Sequence, residues 1–103
     1  IGATVEAFVI KKGFRVAYEL GGHGVGRSVH EDPFVPNIGP SGTGTVLEPG
    51  MVLALEPIVT EGKGDVYLDH LDGYTYRTLD GGRSAQFEHT ILVTDNKAEV
   101  LTK

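Results

Sequence analysis

The sequence predicts an α+β domain, one helix followed by a mainly antiparallel sheet. Three observations carry this. Helical spacing of apolar residues occurs only near the start, where Ile1, Val5, Phe8 and Val9 fall on one face. The rest is cut by 15 glycines and 5 prolines into short apolar or alternating runs. One of the cuts, Asp72-Gly73, is a strong hairpin signal between two such runs. The length of 103 residues suits one small domain, and 40% hydrophobic with 22% charged residues is globular composition.

Taken in order, residues 1–12 read as a helix with Lys11 and Lys12 in its last turn and Gly13 just beyond its end. No capping residue precedes Ile1, so the chain reads as part of something longer. Phe14 to Leu20 alternates and predicts a strand. Gly21-Gly22-His23-Gly24-Val25-Gly26 has four glycines in six residues, which permits close backbone approach. Pro33, Pro36, Asn37, Gly39, Pro40, Gly42 and Gly44 predict a long loop. Met51 to Val59 predicts a centrally buried strand interrupted by Glu56, with an edge or bulge at Pro57. Val66 to Leu71 and Tyr74 to Leu79 form the hairpin, Ala85 to Val93 a long strand, and Ala98 to Leu101 a short last one.

Composition removes several function classes. The absence of cysteine excludes disulfide frameworks, cysteine nucleophiles and CxxC zinc sites. A net charge of −5 argues against nucleic-acid binding and against an anionic membrane surface. The longest apolar run, Met51 to Leu55, falls far short of the roughly 20 residues of a membrane span. Gly22-x-Gly24 lacks the third glycine spacing and the following helix of a dinucleotide fingerprint. The Gly39 to Thr45 stretch lacks the Gly-Lys ending of a phosphate loop.

The polar residues inside strands carry the chemistry. Glu56 sits in an apolar strand, where it either pairs with an arginine, reaches solvent at a strand end, or serves as metal ligand or acid/base. Glu88 shares a strand face with Gln86 and Thr90, a row that suits either a solvent face or the wall of a cation site. The opposite face, Phe87, His89, Ile91 and Val93, reads as core, with His89 a satisfied core histidine. His23 between glycines is either a turn residue or a side chain aimed into a site, and His30 follows beside Glu31. His70 falls in the hairpin and is expected at the surface. Together His23, Glu56 and Glu88 make a mixed N/O donor set for a transition metal.

Three ordered blocks carry a family resemblance. They are Gly22-His23-Gly24-Val25-Gly26-Arg27 with His30-Glu31-x-Pro33, then Leu47-Glu48-Pro49-Gly50-Met51 with Glu56-Pro57, then Ser84-Ala85-Gln86-Phe87-Glu88-His89-Thr90. In order and separation they resemble type I methionine aminopeptidases, over nearly the whole chain but only the C-terminal part of that catalytic domain. The resemblance implies the second half of a pita-bread fold, with residues 1–103 its C-terminal part and the N-terminal half absent. It implies hydrolytic removal of N-terminal methionine from nascent polypeptides by two divalent metal ions (Co, Mn, Fe, Ni or Zn), in the cytoplasm, with the ribosome as a further partner of the full-length protein. His23, Glu56 and Glu88 resemble metal ligands, Glu56 also taking part in proton transfer, and His30 resembles a substrate-contacting histidine. Tyr74 resembles an aromatic wall of the methionine pocket, and Val29 stands where a bulky aromatic is common. The family's two aspartate ligands and another histidine belong to the N-terminal half, so residues 1–103 alone are expected to be inactive. A prolidase or X-Pro aminopeptidase of the same fold, and a non-catalytic pita-bread binding module, are the alternatives.

Overall fold

The computed structural model describes residues 1–103. Helix α1 spans Gly2–Lys11. It ends where Gly13 takes φ 85°, a left-handed value that glycine adopts without a Cβ clash. The Gly13 N–H there donates to the Ile10 carbonyl and the Phe14 N–H to the Val9 carbonyl, the paired bonds of a Schellman end.

The strand expected over 14–20 is far shorter, because β1 covers only Arg15–Val16. Val16 and Ala17 are both buried, so the alternation does not sort into an inner and an outer face. A turn at Tyr18 and Glu19 ends it, with the Leu20 N–H donating to the Ala17 carbonyl and the Tyr18 hydroxyl donating to Asp65. Strand β2 is Gly21–Gly24 and β3 is Glu31–Pro36, so the expected Pro-rich loop begins as a strand. Strand β3 lies at a sheet edge, where Pro33 and Pro36 need no outward ladder partner.

The predicted strand over 51–59 is two strands, β4 (Val52–Leu55) and β5 (Ile58–Thr60), separated by Glu56-Pro57. The hairpin is β6 (Val66–Leu68) and β7 (Tyr76–Thr78), with Leu68 opposite Tyr76. Its loop is longer than the two residues that Asp72-Gly73 predicts. Asp72 accepts from the Tyr74 and Thr75 N–H groups, and the Gly73 N–H donates to the Asp69 carbonyl. Side-chain acceptors thus capture donors that a tight turn would leave to the ladder. The predicted long strand over 85–93 is likewise two, β8 (Ser84–Gln86) and β9 (His89–Leu92), and β10 is Glu99–Val100.

All strand pairs are antiparallel, in a five-stranded sheet of order β10-β9-β4-β2-β3, a three-stranded sheet β1-β5-β8 and the ribbon β6-β7. The two larger sheets are joined by the turn from β1 to β2 and by two short breaks, Glu56-Pro57 and Phe87-Glu88. The core lies in the five-stranded sheet, where Val35, Leu53 and Ile91 are buried under Met51, Leu55, Val93 and Val100. Leu53 and Ala54 are 0% exposed, as a central strand requires. His89 is not a core residue: it is exposed, and its Nδ1 lies 3.1 Å from the Thr102 hydroxyl. Phe87 is 60% exposed, because the break at Phe87-Glu88 takes it out of the face that buries Ile91. His70 is exposed, as expected. No helix is long and apolar enough to cross a membrane.

Candidate metal centre

The site lies where both long strands break. On one side of the break Leu55 is opposite His89, and on the other Ile58 is opposite Gln86. The register is therefore unchanged across the gap, which places Glu56 opposite Glu88 and Pro57 opposite Phe87. The Phe87 N–H donates to the Pro57 carbonyl at 3.0 Å, holding the two chains together through the gap. Two carboxylates directly across from each other repel. The ion pairs of the chain leave both without a lysine or arginine, since Arg77 pairs with Asp69 and Arg83 with Glu61.

His23 joins them from β2. It is opposite Ala54, which lies two residues before Glu56 on β4, and cross-strand partners project to the same face of a sheet. Gly22 makes this approach possible, because a Cβ there would lie 2.0 Å from the Ala54 carbonyl oxygen. A Cβ on Gly24 would lie 2.1 Å from the Asp32 carbonyl oxygen. The close approach expected of the glycine run is thus present at both neighbours of His23.

Donor atoms of His23, Glu56 and Glu88 lie within 4.8 Å of one another. His23 Nε2 is 3.8 Å from Glu56 Oε2. His23 Nδ1 is 2.9 Å from the Gly24 carbonyl oxygen, which can only accept, so Nδ1 donates there and Nε2 is the ring nitrogen left facing the carboxylates. One neutral imidazole nitrogen and two uncompensated carboxylates suit a divalent cation of borderline hardness. His23 and Glu56 are half-buried and Glu88 is exposed, so the group sits on an open face.

Other candidates fall at different distances from this group. The His30 ring lies 4.1 Å from the His23 ring, centroid to centroid, tilted by 48°. Val29, beside it, is 74% exposed. Tyr74 is 85% exposed in the loop of the separate β6-β7 ribbon. Two residues that carry the geometry were not singled out from the sequence. Gln86 Nε2 donates to Glu56 Oε1 at 3.2 Å and to Glu88 Oε2 at 3.0 Å. Asn37, 2% exposed, donates through Nδ2 to the Glu56 backbone carbonyl at 2.7 Å. The signal for Gln86 was its place two residues before Glu88 in a polar row. Asn37 gave none, as a loop asparagine is ordinary.

Residues 1–95 match metallopeptidase family M24. The chain belongs to that family. It is 47% identical over 102 residues to the methionine aminopeptidase of Escherichia coli K12, covering 99% of this chain and 38% of that protein. The methionine aminopeptidase structure from Thermotoga maritima superposes with a TM-score of 0.93 at 52% identity, covering 99% of this chain and 41% of that one. That from Rickettsia prowazekii gives 0.92 at 40% identity, covering 96% and 40%. One helix with antiparallel sheets is thus the corresponding portion of the pita-bread fold, and membership of M24 implies divalent metal cofactors. The chain spans about two fifths of the length of these M24 relatives.

Proposed function

We propose that this chain is the C-terminal part of the catalytic domain of a metal-dependent aminopeptidase that removes N-terminal methionine from new polypeptides. The observation that carries the reading is the pair of opposed, uncompensated carboxylates of Glu56 and Glu88 with His23 Nε2 turned toward them. In this reading His23, Glu56 and Glu88 hold metal, and further carboxylates from an N-terminal half complete a site for two ions. Co, Mn, Fe, Ni and Zn all suit these donors. Divalent ions bound there would supply an acidified water and a polarised carbonyl.

The chain's own residues would do the rest. Glu56 passes a proton to the leaving amine. His30, beside His23, donates a hydrogen bond to the oxygen on which negative charge develops. Val29 and Tyr74 contribute to the walls that take the methionine side chain, with the N-terminal half closing over them. A thioether fits such walls without polar partners. The names of the relatives favour methionyl peptides over X-Pro peptides, and the retained donor set favours an enzyme over a binding module. The full-length protein would act in the cytoplasm on chains emerging from the ribosome, with no nucleic acid or membrane engaged by this segment.

The test joins residues 1–103 to the N-terminal portion of the Escherichia coli relative. With Co²⁺ or Mn²⁺ the joined protein is expected to release methionine from Met-Ala-Ser and leave Ala-Pro peptides intact, while residues 1–103 alone release none. A folded, metal-loaded joined protein that leaves Met-Ala-Ser uncut would refute the activity. Steady turnover by residues 1–103 alone would refute the two-part site.

A further inference from the structure

Gln86 lies between the two opposed glutamates and touches both. Its Nε2 is 3.2 Å from Glu56 Oε1 and 3.0 Å from Glu88 Oε2. Ionised carboxylates only accept, so the orientation of this amide is dictated: the NH2 end must face them, one hydrogen to each. The two carboxylates come from different strands, one in each break, and neither has a lysine or arginine partner. A neutral double donor is therefore the group that satisfies an oxygen of each without cancelling the negative charge a cation needs. A lysine at the same place would neutralise the site and compete with the metal. Glu56 has two further neighbours. Its backbone carbonyl accepts from buried Asn37 at 2.7 Å, and its other carboxylate oxygen, Oε2, faces His23 Nε2 at 3.8 Å. With Oε1 engaged by Gln86, Oε2 is the oxygen left toward the histidine.

We propose that Gln86 is a positioning residue of the metal centre, its amide clamping Glu56 and Glu88 at the spacing at which they hold a divalent cation with His23. The inference rests on the metal-site reading above and adds to it a residue that binds no metal itself. Removing a donor that holds a metal ligand in place changes metal affinity by about 10–100-fold.

The experiment is a Co²⁺ titration, followed by visible absorption, of residues 1–103 joined to the N-terminal portion of the Escherichia coli relative, with thermal melting of the metal-free joined protein in parallel. Gln86→Met keeps the length of the side chain and removes both donors. It is expected to weaken Co²⁺ binding by about 10–100-fold and to change the position and intensity of the Co²⁺ absorption bands, with the melting temperature close to that of the parent. A merely structural role would lower melting and leave the bands of the bound form unchanged. Gln86→Asn, one methylene shorter, keeps the amide but spans only one carboxylate, and is expected to weaken binding as well. If Gln86→Met does not fold, that variant decides. Parent-like affinity and absorption bands in a folded variant overturn the positioning role and leave the metal site standing. Failure of the joined parent protein to bind Co²⁺ more tightly than its His23→Ala variant overturns the metal reading and this inference with it.

Discussion

Gly22→Ala tests whether the close approach of β2 to β4 is what aims His23. The added Cβ would lie 2.0 Å from the Ala54 carbonyl oxygen and 3.2 Å from the Glu56 nitrogen, both rigid backbone. Reaching ordinary contact at 3.4 Å asks for a displacement of about 1.4 Å. No side chain can yield there, so the strands must part, straining bonds such as that from the Val25 N–H to the Val52 carbonyl at 2.9 Å. Overpacking costs about 1–3 kcal/mol, and a backbone obstacle places this case near 3. For a domain of this size each kcal/mol lowers the melting temperature by about 4–8 °C, so a loss of about 12–24 °C is expected. His23 moves with β2 while Glu56 and Glu88 stay, so Co²⁺ affinity should fall by about 10-fold or more. Gly13→Ala is the control. It meets nothing within 4 Å but has φ 85°, so it should cost about 1–2 kcal/mol through backbone strain and leave Co²⁺ affinity unchanged. Gly22→Ala melting within a few degrees of the parent, with the same Co²⁺ affinity, would show that the glycine run does not aim His23.

Glu88→Gln removes one of two opposed like charges. It is expected to stabilise the metal-free chain by up to about 1 kcal/mol, read as a higher urea midpoint, while abolishing tight Co²⁺ binding. A lower urea midpoint would mean that the pair is already compensated. In the joined protein, His30→Ala should lower kcat by about 10²–10³ and leave metal content unchanged, since the ring lies tilted against His23 and is not one of the three donors. Metal loss equal to that of His23→Ala, by elemental analysis, would make His30 a ligand. The Asp72 carboxyl is lowered from its usual 3.8 to about 2 by hydrogen bonds from the Thr75 hydroxyl and the Thr75 and Tyr74 N–H groups. Its folded pKa lies below the unfolded one, so its contribution is complete above pH 4 and fades as pH falls toward 2. Protection of the Tyr74 and Thr75 amides, relative to their intrinsic exchange at each pH, should fall over that window, and protection unchanged to pH 2 would contradict the assignment.

The sequence made the helix and its end legible because these are local: spacing on one face and a glycine at the turn suffice. The hairpin was legible in kind but not in loop length, since the competition for N–H groups by the Asp72 side chain cannot be read from a dipeptide. Periodicity also carried both long strands straight through Glu56-Pro57 and Phe87-Glu88. An alternating pattern continues unchanged across a break that keeps register, so periodicity does not announce it; Pro57, read as an edge or bulge, marked the first break, and nothing marked the second. The core reading of His89 failed for the same reason. Of its apolar neighbours, Phe87 lies in the break and Ile91 in the five-stranded sheet, and only Ile91 is buried.

The two breaks also explain why the donor set stands where it does. A carboxylate midway along a continuous central strand would face the next strand's side chains on a packed sheet, where it needs a counter-ion. Pro57 removes one ladder donor, and the remaining bond from the Phe87 N–H to the Pro57 carbonyl keeps the opposed segments aligned while the sheet divides. Glu56 and Glu88 then face each other across the gap rather than across a packed ladder. Glu88 is exposed and Glu56 half-buried, so a cation can reach both from the open face. The same division accounts for the apolar groove of about 820 Å³ between α1 and the three-stranded sheet, lined by Phe8, Phe14, Pro57, Val59 and Phe87. Pro57 and Phe87 are the register partners that flank the glutamates. One side of this junction therefore presents charge and the other presents hydrocarbon, within a single pair of residues on each strand.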